Sequence, residues 1–405
     1  MTGVMDGIKV VEVGLFALVP AAAAVLADWG ADVIKIEHPE HGDPLRGLAA
    51  WGVKPGTGGF TFMWEACNRG KRSVGVDIST PDGREVLLRL VERADVFLTN
   101  FLPSARRKLG IDVEDVRGRN PAIIYGRGSG YGPKGEEADV GGFDAAAYWF
   151  RSGVGSAAMP PGAGEPINLP GPGFGDIQTG AHLAGGVAAA LFRRNRTGEG
   201  AVVDASLLSA GLWAMQGNIT AAATTGASEL PKRARTEVTN PLTIAYRTAD
   251  DRWVGLVMLD SQRYWPGFCA AIGRPDLIDD ERFALARSRA VNAAACVAEL
   301  DATFAAQPLA HWQKALADQA GPWAVVAHAG EALSDRQARA NGYVQDVDYG
   351  EGRRLPLVSS PLQFDETAVP LRPAPEHGAH TDEVLLELGM DWDEIVELKV
   401  AGAIS

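Results

Sequence analysis

The sequence predicts an α/β protein built on a parallel β-sheet with helices packed against it. The stretch Ile8–Val13 (IKVVEV) reads as a buried strand, Val19–Trp29 (VPAAAAVLADW) as a helix and Asp32–Ile36 (DVIKI) as a second strand. That order is a βαβ unit, whose crossover connection implies parallel pairing. The pattern continues with a helix over Gly83–Arg93 and strands over Asp95–Thr99 and Ala122–Tyr125. The composition agrees: 46% of the 405 residues are hydrophobic and 22% are charged, enough to bury a large core. At about 150 residues per domain this length predicts two or three domains.

In a parallel sheet, ligands bind beyond the C-terminal ends of the strands. Gly14, Glu37, Asn100 and Gly126 fall there. Glu37 sits where a dinucleotide site carries its ribose-binding acid, but the first turn, Gly14-Leu15-Phe16-Ala17-Leu18-Val19, lacks G-x-G-x-x-G. No GxxxxGK[ST] occurs either, so neither NAD nor P-loop chemistry is predicted.

Residues 134–174 are rich in Gly and Pro and read as loops interrupted by one short helix; loops this long usually carry function. Next comes Gly175-Asp176-Ile177-Gln178-Thr179-Gly180, followed by the small-residue helix AHLAGGVAAALFRR. A carboxylate here stands in the first turn of a helix. On these residues alone Asp176 reads as a helix cap. The alternative is a nucleophile that the helix N-terminus keeps ionised, with Gly175 letting a substrate approach the backbone.

After a turn at Arg196–Gly200 come a strand, Ala201–Ala205, and an apolar helix from Leu207. Periodicity fades over 219–235. Strands at Thr243–Tyr246 and Trp253–Val257 pair as a hairpin around Asp250-Asp251, and helices occupy much of Tyr264–Ala317. From about Gly342 the chain is broken by Pro, and it closes on an amphipathic helix, Asp382–Leu388. The chain reads as a large N-terminal domain over 1–205, a linker at 206–230, a small α+β domain over 231–325, a second linker at 326–350, and a C-terminal part over 351–405.

The formal net charge of −13 excludes a general nucleic-acid binder, so any anionic ligand needs a local basic patch. Cys67, Cys269 and Cys296 are too scattered for a disulfide framework or a zinc site, so no metal is expected. The N-terminus lacks the basic start and apolar stretch of a signal peptide, and no run reaches the ~18 apolar residues of a membrane span. A cytoplasmic protein is expected.

Together these segments resemble the family III CoA-transferases (CaiB/BaiF-like), the group containing formyl-CoA transferase and α-methylacyl-CoA racemase. The resemblance runs nearly end to end. It rests on LADWGADVIKIEHPEHGDPLR (Leu26–Arg46), NRGKRSVGVDI (Asn68–Ile78), ADVFLTNF (Ala94–Phe101), LGID (Leu109–Asp112), NPAIIYGRGSGYG (Asn120–Gly132), GDIQTG, RTGEG followed by VVDASLL (Val202–Leu208), and GAHTDEVLLELG (Gly378–Gly389). It implies a Rossmann-like large domain to which the C-terminal part over 351–405 returns, an interlocked homodimer, and an acyl-CoA donor with a carboxylic acid acceptor.

The resemblance also implies that Asp176 is the nucleophile, passing through a mixed anhydride and an aspartyl-CoA thioester. CoA contacts map onto Ala17 with Leu18, His38, Lys71, Asn100 with Phe101, and Lys108, with Arg69, Arg72, Arg106 and Arg107 adding positive charge. Ala17 and His38 depart from the Gln and Arg of formyl-CoA transferase. The racemase has Gly-His-Asp where this chain reads Gly142-Phe143-Asp144, and phenylalanine cannot move a proton. The alternatives are a racemase or epimerase, disfavoured by Phe143, and a non-catalytic CoA-binding relative, disfavoured by the intact GDIQTG. His182 is expected in a core or helix-face role, Trp149 and Phe150 to pack, and Asp260 to lie in a surface loop. Trp51, Phe60, Phe62, Trp64, Tyr148 and Trp149 hint at an apolar acyl group larger than formate. No glycine run that could form a lid is visible in residues 230–330.

Overall fold

The computed structural model describes residues 3–49 and 52–405; Trp51 lies outside the described residues. The chain divides into two compact units, one of Met1–Met159, Glu165–Gly226 and Leu333–Ser405, the other of Pro160–Gly164 and Ala227–Ala332.

The first unit is organised by a six-stranded sheet: β1 (Lys9–Val13), β2 (Asp32–Glu37), β3 (Arg72–Gly75), β4 (Val96–Thr99), β5 (Ile124–Ser129) and β6 (Ala201–Ser206). Its order is β3-β2-β1-β4-β5-β6, and every pairing is parallel. The order reverses between β1 and β4, which opens a crevice beyond their C-terminal ends.

The α-helices of this unit that precede the second unit's main segment are α1 (Leu18–Asp28), α2 (Phe62–Asn68), α3 (Pro81–Glu92), α4 (Pro103–Leu109), α5 (Val113–Arg119), α6 (Val154–Ala158), α7 (Phe174–Thr197), α8 (Leu207–Ala214) and α9 (Gln216–Thr225). Alternation along the strands sorts the core into two layers. Val10, Val33, Val96 and Ile124 pack against α1 and α7, whereas Val11, Ile34, Val74, Phe97 and Tyr125 pack against α3 and α5. The strand β3 is absent from the pattern predicted for the chain. Its four residues, RSVG, offer neither an apolar run nor alternation, and it forms because β2 templates it.

The second unit holds an antiparallel sheet of β7 (Ala245–Arg247), β8 (Trp253–Leu256) and β9 (Trp323–Val325), with helices α10 (Ser261–Ala271), α11 (Ala286–Val291), α12 (Ala293–Ala305) and α13 (Leu309–Ala315). The hairpin is as expected; β9 is an additional strand from a distant part of the chain.

The stretch read as a linker, 206–230, is largely the helices α8 and α9. Residues 326–350 contain α14 (Arg336–Ala340) and β10 (Val344–Asp348), which pairs antiparallel with β11 (Arg354–Val358). The C-terminal segment returns to the edge of the large sheet through α15 (Thr381–Glu387) and α16 (Trp392–Val400). Its His380 N–H donates to the Ser73 carbonyl at 2.9 Å, and the Gly75 N–H donates to Thr381 Oγ1 at 3.0 Å. The helix α16 starts on an Asp391/Glu394 capping box.

Small residues decide how α7 lies. A methyl group at Gly180 would come within 2.8 Å of the Leu18 carbonyl oxygen and 2.9 Å of the Ala22 nitrogen. The helices α1 and α7 therefore touch backbone to side-chain stub, which sets the first turn of α7 beside the start of α1. Because the colliding atoms are mainly backbone, Gly180→Ala forces the helices apart. We expect a stability loss of about 1–3 kcal/mol, read by chemical denaturation; unchanged stability would show that the contact is loose.

Candidate active site

Beyond the ends of β1, β4 and β5 lies a cavity of about 480 Å³, within the size range of small-molecule sites. Leu15–Leu18 and Asn100–Pro103 line it from the switch point, Arg127–Gly130 from β5, and Asp176 from α7. The site is therefore assembled from segments far apart in sequence.

The segment after β1 is held rigidly. Glu12 and Lys35, register partners on β1 and β2, are fully buried. The Lys35 Nζ donates to Glu12 Oε1 at 2.9 Å and to the Gly14 carbonyl at 2.8 Å, and stands 2.9 Å from Asp43 Oδ2. The other Glu12 oxygen accepts from Lys71 Nζ at 2.6 Å; Lys71 also donates to the Pro20 carbonyl and to Asn68 Oδ1, both at 2.9 Å. Asn100 completes the clamp. Its Oδ1 accepts from the Leu15 N–H at 3.0 Å, and its Nδ2 donates to the Leu15 carbonyl at 2.6 Å. Phe16, with φ of 59°, donates its N–H to Asp43 Oδ1 at 3.1 Å. A bulky residue in the left-handed region is strained, and these anchors hold it there.

Asp176 is the third residue of α7 and half-buried. Among the described residues none donates a hydrogen bond to its carboxylate. Burial, and then the nearby Asp144 carboxylate, push its pKa up to about 7. Desolvation and Asp144 thus both oppose the ionisation that the helix N-terminus was expected to favour. Asp144 is itself buried; its Oδ1 accepts from the Ala145 N–H at 2.8 Å, while its Oδ2 has no hydrogen-bond partner among the described residues. Burial raises its pKa, opposed by the N–H groups of Gly173, Phe174 and Gly175 at the start of α7. Gly175 does not open the backbone to substrate. It is buried, and a methyl group there would strike the Tyr148 ring at 2.5 Å.

Of the expected CoA contacts, Ala17, Leu18, Asn100 and Phe101 line the cavity with Asp176. His38 does not. It stacks on His41 with ring centroids 4.6 Å apart and faces Asp77 at 4.0 Å. Lys71 is a correction. It lies in the core with all three of its N–H donors occupied, so it anchors the Pro20 turn and cannot meet a phosphate in this arrangement. Burial pulls its pKa down to about 8, against the pull of Glu12. Lys108 is exposed on α4, a helix whose Ala105, Arg106 and Leu109 face the cavity.

The other basic residues are ion-paired: Arg69 with Asp28, Arg72 with Asp32 and Glu387, Arg106 with Asp112, and Arg107 with Asp139. His182 is exposed, and Asp260 caps α10. Trp64, Tyr148 and Trp149 are buried away from the cavity, and Phe60 packs on Tyr349; neither Phe60 nor Phe62 lines the cavity. The aromatic residues that do face it are Phe16, Phe101 and Phe143. Arg127 and Asp204, which pair across the ends of β5 and β6, also line it; sequence reasoning passed over both. Among the described residues no group of His, Cys, Asp and Glu could hold a metal ion, and no helix is long and apolar enough to cross a membrane.

Breaking a buried pair by removing one partner leaves an uncompensated charge. We expect Lys71→Met to destabilise the protein by about 3–5 kcal/mol in chemical denaturation. Wild-type stability in this variant would contradict the anchoring role.

The sequence profile described as "CoA-transferase family III" matches residues 5–381. The (R)-2-hydroxy-4-methylpentanoate CoA-transferase of Clostridioides difficile is 33% identical over 396 residues, covering 98% of each chain. The cinnamoyl-CoA:phenyllactate CoA-transferase of Clostridium sporogenes is 32% identical, covering 98% of this chain and 96% of its own. Among solved structures, a CaiB/BaiF family protein from Brucella suis superposes with a TM-score of 0.83 at 27% identity, covering 96% of this chain and 100% of its own. The sheet order, the cavity at its switch point and these matches agree, and the chain belongs to CoA-transferase family III.

Proposed function

We propose that this protein moves CoA from an acyl-CoA donor to a carboxylic acid acceptor through covalent intermediates on Asp176. The observation that carries this reading is a carboxylate at the wall of the switch-point cavity with no hydrogen bond restraining it among the described residues and a pKa raised to about 7. Such a carboxylate is more basic than a solvated one, hence a better nucleophile once ionised.

An Asp176 oxygen adds to the thioester carbonyl of the donor. The C–S bond breaks, giving a mixed anhydride and CoA thiolate. The thiolate adds to the Asp176 carbonyl carbon and expels the donor acid as its carboxylate, leaving an aspartyl-CoA thioester. The acceptor carboxylate then attacks that thioester, forming a second anhydride and freeing the thiolate once more. Attack of the thiolate on the acceptor carbonyl yields the new acyl-CoA and restores Asp176. No net proton is exchanged. Each addition develops an oxyanion that needs nearby N–H donors, and the glycine-rich segments Gly128–Gly132 and Gly141–Gly142 supply backbone close to the cavity. The two-base racemisation route has no partner base at Phe143.

We assign the pantetheine end of CoA to Ala17, Leu18, Asn100 and Phe101, and a phosphate contact to Lys108 at the rim. A homodimer accords with the exposed surface: Phe192 and Trp213 are each 65% exposed, and α9 buries none of its residues within the chain.

Asp176→Asn should lower CoA transfer by more than about a thousandfold while the protein stays folded, because an amide cannot open a thioester. In the wild type, kcat/KM should rise with pH and level off above about 7, as the carboxyl ionises. Chromatographic assay of acyl-CoA products across a panel of donors and acids, with circular dichroism of the variant, reads both. A variant retaining a tenth of the activity would return Asp176 to a capping role.

A further inference from the structure

Phe143 is 64% exposed, an unusual position for a phenyl ring. It meets Phe16 edge to face, with ring centroids 5.5 Å apart and planes at 89°. Both rings line the cavity that Asp176 faces. The chain neighbours of both rings lie near the start of α7, which carries Asp176. Phe143 precedes Asp144, whose carboxylate faces the first amides of α7 and whose charge reaches Asp176. Phe16 precedes Ala17, whose Cβ lies 3.7 Å from where a side chain at Gly173, just before α7, would begin. Phe16 is also held at a strained φ of 59° by Asp43, so the chain bears a conformational cost that fixes where this ring sits.

The charges near the start of α7 favour an uncharged guest. Asp144 and Asp176 are both anionic when ionised. The two guanidiniums in the cavity wall are already engaged, Arg106 with Asp112 and the Phe101 carbonyl, and Arg127 with Asp204. Among the described lining residues no free cation remains to pair with a second carboxylate on the substrate.

Resting on the transferase reading, we propose that Phe16 and Phe143 form the acyl-chain subsite, and that it takes apolar acyl groups and rejects dicarboxylic ones. The ring pair covers the chain attached to the reacting carbonyl, and the substrate in turn covers the exposed face of Phe143.

The test is identity exchange, in which a deuterated free acid enters its own CoA thioester, so that no second substrate need be known. The pairs are 4-methylpentanoate, 3-phenylpropanoate, acetate and succinate. We expect kcat/KM for the two apolar pairs to exceed that for succinate by more than about tenfold. Phe143→Ala should shrink the ratio of 4-methylpentanoate to acetate by about tenfold, chiefly through KM. Phe143→Leu should restore that ratio but not the preference for the aryl acid. Because Phe143 is exposed, neither variant threatens folding. Succinate exchanging as fast as the apolar acids, or Phe143→Ala slowing every pair by one common factor, would overturn the subsite and leave the transferase standing. Absence of exchange with all four pairs would overturn the transferase reading and the subsite with it.

Discussion

The site depends on a single buried carboxylate, Glu12, whose two oxygens each hold a lysine. Lys35 reaches it across the β1–β2 register and goes on to grip the Gly14 carbonyl; Lys71 reaches it from the start of β3 and grips the Pro20 carbonyl. Both ends of the segment from Gly14 to Pro20 are thereby tied to one group. That segment contains the cavity-lining residues Leu15–Leu18. A buried ion network of this kind adds little net stability relative to apolar packing. What it contributes is position: the backbone cannot drift while Lys71 has all three donors engaged and Lys35 is held by Glu12 and the Gly14 carbonyl.

The second constraint is the close contact of α1 with α7 at Gly180, which brings the fixed segment against the turn that carries Asp176. Asp176 then sits where burial and Asp144 both oppose its charge. The helix N-terminus works in the other direction, and the balance near pH 7 leaves a carboxyl that is available in both forms under ordinary conditions. Asp144 is steadied by the amides that begin α7, so the same helix end serves two carboxylates.

Much of the large sheet was legible because its strands are apolar runs set between helices, as at Ile8–Val13 and Asp32–Ile36. The place of Asp176 in the first turn of a helix was legible in GDIQTG and the small-residue run behind it. The misplacement of Lys71 has a plain cause. Read locally it is a cation between Gly70 and Arg72, and its fate depends on Glu12 in a distant strand. The signal was present in Glu12 itself, a charge inside the apolar run IKVVEV, which has to find a buried partner. The aromatic residues misled for a related reason. Tyr148 and Trp149 lie in a glycine-rich region, yet those glycines are spaces for the rings: Gly175 faces Tyr148 and Gly155 faces Trp149, each closer than a side chain would allow. Phe143 attracted notice only as a missing histidine, because its place opposite Phe16 exists only after folding.

The claim on which the functional reading turns is that Asp176 exchanges an oxygen with the substrate acids. In the proposed sequence, the acceptor carboxylate bonds to the Asp176 carbonyl carbon, and the anhydride then breaks so that one acceptor oxygen stays on the protein. Turnover with an acceptor acid labelled with heavy oxygen, followed by digestion and mass spectrometry, reads this directly. The account predicts label in the peptide containing Asp176, accumulating with turnover, absent without an acyl-CoA donor and confined to that carboxylate. Sustained CoA transfer with no label on Asp176 would contradict it.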